Sequence, residues 1–369
     1  MKCRVQLKIL WVLVLLWSAQ IYAQSNDDLE RLKQVCDQQI QDDLWRQYQE
    51  VRSWFDDAYR EYPTVPRGVL ESVSFQYVRF SPNNVLDTME TDMSQMPRNY
   101  TVMGLTLHGK GVFRENARLL ASMTPFSLDE ILWQPGTAVK AYACAFAMKQ
   151  REYQCFSDSM EQYRQILIDL CELPLTENLA EDFAMNSYLY MIYWFLEQED
   201  HVRLGVPRRT IHMEELFGEE LDRLRSPRVE LPAVGNSGAV NTVPDYPNAV
   251  FVPAASCNYT AGRGGAAITS VTIHYTQGTY SGAIAWFKNC SAKASSHYLI
   301  RSIDGQVTQM VREADKAWHV GVANSYTIGI EHEAYGNIYS YFTTAMYQSS
   351  ANLVKNICSR RNINPHRMF

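Results

Sequence analysis

The stretch Ser270-Val271-Thr272-Ile273-His274-Tyr275-Thr276 decides how the second half of this chain is read. It is an apolar run rich in β-branched residues, so we predict a strand over residues 270–274. The strand ends on a histidine. A single strand histidine is usually hydrogen-bonded within a core. At the end of a strand, however, a histidine can also be part of a functional site.

Downstream of this strand, short strands alternate with helices. Helices are predicted over residues 280–288 and from the capping residue Thr343 to about Arg360, and strands over 297–301, 306–311 and 327–333. Asp304-Gly305 indicates a hairpin between two of these strands, because Asp-Gly supplies the positive φ angles of a tight turn. Interleaved strands and helices predict an α/β fold with a central mixed sheet.

Upstream of the strand, apolar residues recur at helical spacing. Helices are predicted over residues 29–59, 128–132, 138–149, 157–173 and 179–199. Residues 226–249 are rich in Pro and Gly without helical period, which is typical of a linker. The predicted order is therefore a signal peptide at 1–23, a helical domain at 24–225, a linker at 226–249 and an α/β domain at 250–369.

The first 23 residues have the layout of a secretory signal peptide, with a basic start, an apolar run over residues 9–17 and the small residue Ala23. The apolar run is short for a membrane span, so the mature chain is predicted to have no stable span; a retained anchor is the alternative. An exported chain can form disulfides, and Cys257 with Cys290 is the preferred pair. The formal net charge of -6 argues against nucleic-acid binding.

Five ordered segments resemble the zinc N-acetylmuramoyl-L-alanine amidases, a family that includes the AmpD-type amidases, phage T7-type lysozyme and the peptidoglycan recognition proteins. The segments are residues 272–276, 295–300, 301–307, 316–321 and 325–331. The resemblance implies an exported bacterial envelope or periplasmic enzyme that uses zinc. Its substrate would be peptidoglycan, and the reaction would be hydrolysis of the amide bond between the lactyl group and L-alanine.

The resemblance also assigns roles to individual residues. It makes His274 the first zinc ligand, and Glu331 the carboxylate that takes a proton from water and returns it to the leaving amine. Trp318 and His319 correspond to the wall of the substrate pocket; the equal alternative is that Trp318 belongs to the core and His319 orients a loop. Strand alternation places Glu333 on the face of Gly329 and Glu331, as a competing carboxylate, a rim charge or a supporting partner. His297 is expected to be structural or supporting.

The C-terminal end departs from the family pattern. The family supplies its second and third zinc ligands after the last helix, and the sequence reaches only Asn364-Pro365-His366 in that region. His366 is positioned too early to be assigned to zinc. The amidase domain is therefore predicted to be truncated, either as a fragment of a longer amidase or as a product with an incomplete site.

Residues 65–80 and 102–105 in the helical domain resemble the lysozyme-like lytic transglycosylases. The glutamate that acts as the acid in that family is replaced by Tyr77, and Glu71 lies about 120° away around the helix. The sharper hypothesis is a domain that binds glycan without cleaving it; the alternative is an unrelated helical domain. For the whole chain, the alternatives to a zinc amidase are a non-catalytic peptidoglycan-binding protein and a glycan-cleaving enzyme.

Overall fold

A computed structural model describes residues 26–82, 96–177, 182–225 and 243–364. The predicted signal peptide, most of the predicted linker and His366 lie outside the described residues. Contacts divide the chain into two units, named here by their dominant structure. Among the described residues, the helical unit covers 44–82, 96–177, 182–224 and 278–292, and the sheet unit covers 26–43, 225, 243–277 and 293–364. The predicted domain borders remain predictions.

The first part of the chain is helical, as the apolar periodicity predicts. Its helices, in order, are α1 (Asn26–Glu61), α2 (Val69–Val78), α3 (Asn116–Met123), α4 (Leu128–Trp133), α5 (Thr137–Glu152), α6 (Arg164–Leu170), α7 (Phe183–Glu197), α8 (Met213–Phe217) and α9 (Leu221–Leu224). A two-stranded antiparallel ribbon joins β1 (Asn99–Tyr100) to β2 (Leu105–Thr106). Single-turn 3-10 segments precede α6 and α9.

Helix α7 forms the centre of the helical unit. It packs against α2, and its apolar sequence is buried along almost its full length. Asp182 caps its start, because the carboxylate accepts the otherwise unpaired N–H groups of Ala184 and Met185. The structure therefore confirms a buried helix within the predicted range 179–199, over Phe183–Glu197.

The sheet unit is built on a five-stranded sheet of order β3-β7-β6-β9-β5. The strands of this unit, in chain order, are β3 (Ala249–Phe251), β4 (Tyr259–Thr260), β5 (Ser270–Tyr275), β6 (Tyr298–Ile300), β7 (Val307–Gln309), β8 (Lys316–Ala317) and β9 (Thr327–His332). β6 and β7 pair antiparallel, whereas β3 with β7, β6 with β9 and β5 with β9 pair parallel. The predicted mixed central sheet is therefore confirmed.

Two helices accompany these strands in sequence. α10 (Tyr280–Phe287) is grouped with the helical unit, where it contacts α7. α11 (Thr344–Arg361) belongs to the sheet unit, and the Thr343 hydroxyl caps it by accepting from the Met346 N–H. This cap agrees with the predicted helix start at Thr343.

The turn between β6 and β7 differs from the prediction in its backbone angles. Gly305 has a positive φ of 73°, but Asp304 does not share the left-handed conformation. The Asp304 carboxylate instead forms an ion pair with Arg301, which is fully buried. The strands do form an antiparallel hairpin, but the expectation that both residues of Asp-Gly adopt positive φ is wrong, because the longer turn needs only one such residue.

The described cysteines occur in two chemical states. Cys257 and Cys290 are both disulfide-bonded, whereas Cys36, Cys144, Cys155, Cys171 and Cys358 are free thiols. Across the described ranges, every helix is too short or too polar to cross a membrane.

Candidate active site

The strand that ends near His274 lies directly beside the strand that carries Glu331. β5 and β9 are parallel, and their register pairs His274 with Glu331 and Tyr275 with His332. Directly paired residues project from the same face of a sheet. His274 and Glu331 therefore lie side by side on one face, and both are half-buried.

The ring of His319 lies over Gly329 on this same face. A Cβ atom at position 329 would come within 2.6 Å of Cγ and Nδ1 of His319, so only glycine leaves room for the ring. Gly329 precedes Glu331 by two residues and shares its face of β9, as strand alternation predicts. The absence of a side chain at Gly329 therefore brings His319 into a group with His274 and Glu331.

A chain of hydrogen bonds determines which nitrogen of each ring carries the proton. The Thr327 hydroxyl donates to the Ala323 carbonyl oxygen at 2.8 Å, so it must accept from the Nε2–H of His319 at 3.1 Å. Nδ1 of a neutral His319 is then an acceptor, and it lies 3.1 Å from Nε2 of His274. His274 accordingly carries its proton on Nε2, which leaves a lone pair on Nδ1.

Both rings are held in the neutral state that this chain requires. Burial lowers the pKa of His319 to about 3, and repulsion from His274 and from the guanidinium of Arg263 acts in the same direction. Burial also lowers the pKa of His274. A neutral imidazole is the form that offers a lone pair to a metal or accepts a proton.

Two further histidines hold the backbone of the strands. Gly329 donates its N–H to Nδ1 of His297 at 3.0 Å, and its carbonyl oxygen accepts the His297 N–H at 3.1 Å. His332 donates from Nδ1 to the His274 carbonyl oxygen and accepts from the Ser350 hydroxyl, each at 2.9 Å. Burial lowers the pKa of His297 well below its usual range and that of His332 to about 4. Both rings therefore have supporting positions.

Trp318 bonds to a residue of β4, and Glu333 bonds to the backbone that follows β6. Trp318 is half-buried, and its indole N–H donates to the Thr260 hydroxyl at 2.9 Å. Glu333 is fully buried and accepts the backbone N–H of Ser302 at 2.8 Å. A rim position for Glu333 is therefore wrong, because its carboxylate supports a loop from the interior.

Thr327 and His332 are parts of the site that sequence reasoning missed. Strand alternation placed His332 on the face opposite Glu331, but no pattern in the sequence indicates that its ring bonds to the backbone at His274. Thr327 is an ordinary β-branched strand residue in the sequence. Its role depends on the loop that places Ala323 and His319 around its hydroxyl, which a sequence pattern does not encode.

The ligand set expected for zinc is not complete among the described residues. No group of three or more His, Cys, Asp or Glu side chains within residues 26–82, 96–177, 182–225 and 243–364 could hold a metal ion. His274 has the neutral ring and available lone pair of a ligand. The described residues therefore supply one expected ligand and do not by themselves form a zinc site.

The lysozyme-like position in the helical unit lies in the core. Tyr77 is 1% exposed, and its hydroxyl donates to the buried carboxyl of Glu172. The neighbouring Gln76 is fully buried and donates to the Ser281 hydroxyl at 3.3 Å. Glu71 is also fully buried, and it accepts the hydroxyls of Tyr48 and Tyr59. The resemblance to lysozyme-like enzymes remains a prediction.

Comparisons with known proteins concern the C-terminal part of the chain. The family model described as N-acetylmuramoyl-L-alanine amidase matches residues 264–369. N-acetylmuramoyl-L-alanine amidase A of Achromobacter lyticus is 46% identical over 120 residues, which cover 32% of this chain and 67% of the relative. A mutant endolysin from Bacillus subtilis is 20% identical over 31% of this chain and 79% of its own, with a TM-score of 0.23, too low to establish a shared fold. On the strength of the sequence matches, the chain belongs to the N-acetylmuramoyl-L-alanine amidase family.

Proposed function

We propose that this chain hydrolyses the amide bond between the lactyl group of N-acetylmuramic acid and L-alanine in peptidoglycan. One observation carries the proposal: His274 and Glu331 lie side by side on one sheet face, within the segment that matches the amidase family. Peptidoglycan is available in the bacterial cell envelope, so we propose that the enzyme is exported there. The export prediction is part of the proposal.

Amide hydrolysis requires a base that activates water and an acid that protonates the leaving amine. A single carboxylate can do both in sequence, since it takes the proton from water and then returns it to nitrogen. Glu331 is the carboxylate on the site face, half-buried and next to neutral imidazoles. We assign this proton transfer to Glu331, and we assign His319 and Trp318 to the wall that positions the substrate.

Zinc dependence is also part of the proposal, with Nδ1 of His274 as the first ligand atom. The hydrogen bond from Nε2 to His319 leaves that nitrogen available. Measurement of zinc by mass spectrometry in the purified chain and in a His274→Ala variant tests this assignment. Because the described residues supply one expected ligand, we expect the parent chain to bind zinc weakly and the variant to bind less; equal zinc contents would contradict the role of His274.

We further propose that the helical unit binds glycan without cleaving it. Tyr77 stands where the lysozyme-like enzymes have their acid, and a phenol with a pKa raised well above 10 by burial is a poor proton donor at neutral pH. The Glu331→Gln variant lacks the proposed proton-transfer carboxylate of the amidase site. When it is used to digest sacculi, any cleavage of glycan strands would therefore come from the helical unit. We expect glycan strands of unchanged length, whereas shortened strands would show that the helical unit retains cleavage.

The amidase proposal predicts the effect of a Glu331→Gln substitution. The amide has nearly the same shape but cannot accept a proton, so the rate should fall at least about 100-fold. The assay is release of peptides with a new L-alanine amino terminus from sacculi, followed by mass spectrometry. Glu30→Gln, which alters an exposed carboxylate of the same unit, is the matched control. Sacculus binding by the parent chain without peptide release would instead support the non-catalytic alternative.

A further inference from the structure

The sheet unit contains a cavity of about 540 Å³ whose lining includes none of the residues assigned to catalysis. It is lined by Arg263, Arg360 and Arg361, by Glu313 and Ala314, and by the small or apolar residues 265–268. Three guanidinium groups thus share the cavity with one carboxylate. Such a concentration of positive charge around an open space requires an explanation.

Pairing within the cavity does not neutralise this charge. Arg360 and Arg361 both bind the single carboxylate of Glu313, at 2.6 Å each, and each arginine side chain remains about one-third exposed. The carboxyl end of α11 contributes the equivalent of about half a negative charge. The neighbouring Asp315 accepts the Gly262 N–H and does not line the cavity. A positive excess remains after these groups are counted.

Arg263 adds a cation that makes no carboxylate contact among the described residues. Its Nε donates to the Glu313 carbonyl oxygen at 2.6 Å, and its Nη1 donates to the carbonyl oxygens of Asn324, Ser325 and Thr327. Burial and repulsion from Arg361 lower the pKa of Arg263, whereas the charges of Glu313 and Asp315 act in the opposite direction. These carbonyl contacts, together with the approach of Nη2 to within 2.6 Å of Nε2 of His297, hold the guanidinium in place.

The rest of the cavity wall consists mainly of small residues that border open space. Gly264 and Gly265 have φ angles of 61° and 83°, and a Cβ atom added at either residue would meet nothing within 4 Å. These glycines are therefore required by the backbone conformation and leave the space beside them free. Ala266, Ala267 and Ile268 provide a short apolar surface next to the arginines.

We infer that this cavity binds an anionic ligand that carries a carboxylate or phosphate group next to a small apolar portion. Arginine guanidinium groups match both anions through paired N–H donors, and partial exposure leaves the ends of Arg360 and Arg361 accessible. The inference does not depend on the proposed amidase activity.

Titration of the full chain with succinate and with inorganic phosphate tests the inference, with binding followed by heteronuclear NMR. We expect at least one anion to bind with millimolar affinity or better, and to bind more weakly as ionic strength rises. Stronger binding of succinate would identify a carboxylate as the preferred anionic group, and stronger binding of phosphate would identify a phosphate. Failure of both anions to bind would overturn the inference.

Two matched pairs of variants locate the binding. Ala314→Asp places a negative charge in the cavity from an exposed position, and Ala314→Asn is its uncharged counterpart of similar shape. Arg361→Gln leaves Arg360 to pair with Glu313, and Lys355→Gln removes a charge from an exposed position elsewhere on α11. We expect about tenfold weaker binding for Ala314→Asp and Arg361→Gln relative to their controls. Equal affinities within the Ala314 pair, whose fold should be unaffected, would place the anion elsewhere and refute the site.

Discussion

The Thr327 hydroxyl determines which nitrogen of His274 is available, although the two side chains do not touch. Its only hydrogen is given to the Ala323 carbonyl oxygen, which forces His319 to donate from Nε2 and to accept at Nδ1. A metal-binding histidine usually has its second nitrogen held by another group, which orients the ring and selects its tautomer. Here Nδ1 of His319 accepts from Nε2 of His274, and the Thr327 hydroxyl accepts from Nε2 of His319.

A Thr327→Val substitution tests this arrangement. Valine has the same shape but cannot accept from Nε2, so we expect His319 to lose its single tautomer and His274 to become a mixture of tautomers. Imidazole ¹⁵N chemical shifts of the metal-free chain at neutral pH report this directly. Thr327→Ser, which keeps the hydroxyl, should retain the parent spectrum. Unchanged shifts in the valine variant would show that another group selects the tautomer.

Strand β9 is the element that assembles the site. His297 binds both the N–H and the carbonyl group of Gly329, and two residues later Glu331 emerges on the site face. β5 on the other side of β9 provides His274 in register. β9 therefore positions Glu331 directly, and it positions His274 through its pairing with β5. Its Gly329 leaves the space that the His319 ring occupies.

A Gly329→Ala substitution should disrupt this assembly. The new Cβ atom would lie 2.6 Å from two atoms of the His319 ring, and overpacking of this kind costs roughly 1–3 kcal/mol. We expect a lower free energy of unfolding and loss of the hydrogen bond between His319 and His274.

Chemical denaturation and imidazole NMR measure these two effects. The double variant Gly329→Ala, His319→Ala provides the control, because removal of the ring removes the collision. Stability losses that simply add in the double variant would show that the two positions are not in contact.

At the scale of the whole molecule, titratable groups in the interior connect stability to pH. Glu172 is 3% exposed, and burial raises its pKa to about 7 despite the hydroxyl donated by Tyr77. The pKa of Glu172 is higher in the folded chain than in the unfolded chain. This carboxyl therefore stabilises the folded state at pH values where it is protonated in both states. That stability is lost between about pH 4.5 and about pH 7, because the unfolded chain ionises first.

A Glu172→Gln substitution should remove this pH dependence. Glutamine resembles the protonated carboxyl and can still accept from Tyr77, so the variant should match the parent near pH 4.5. Above pH 7 it should be more stable than the parent, by on the order of 3 kcal/mol. Melting temperatures of the full chain across this pH range provide the measurement. A constant difference between the two proteins would show that Glu172 does not ionise over that interval.

Much of the secondary structure follows from the sequence. The predicted strand at residues 270–274 is observed as Ser270–Tyr275, and the helix predicted from its Thr343 cap is observed as Thr344–Arg361. These elements carry strong local signals, which are β-branched runs, helical periodicity and capping chemistry. The short strands β4 and β8 were not predicted, because two-residue segments have no periodicity to detect.

The sequence by itself determined the succession of helices and strands, the family resemblance and the candidates His274, His319 and Glu331. Those features depend on local patterns and on the order of residues along the chain. Only the tertiary structure decided that His274 is paired with Glu331, that His319 fills the space above Gly329, and that the Thr327 hydroxyl selects the tautomer of both rings. These facts depend on strand register and on loop paths that bring distant residues within a few ångströms, and no local pattern encodes such distances.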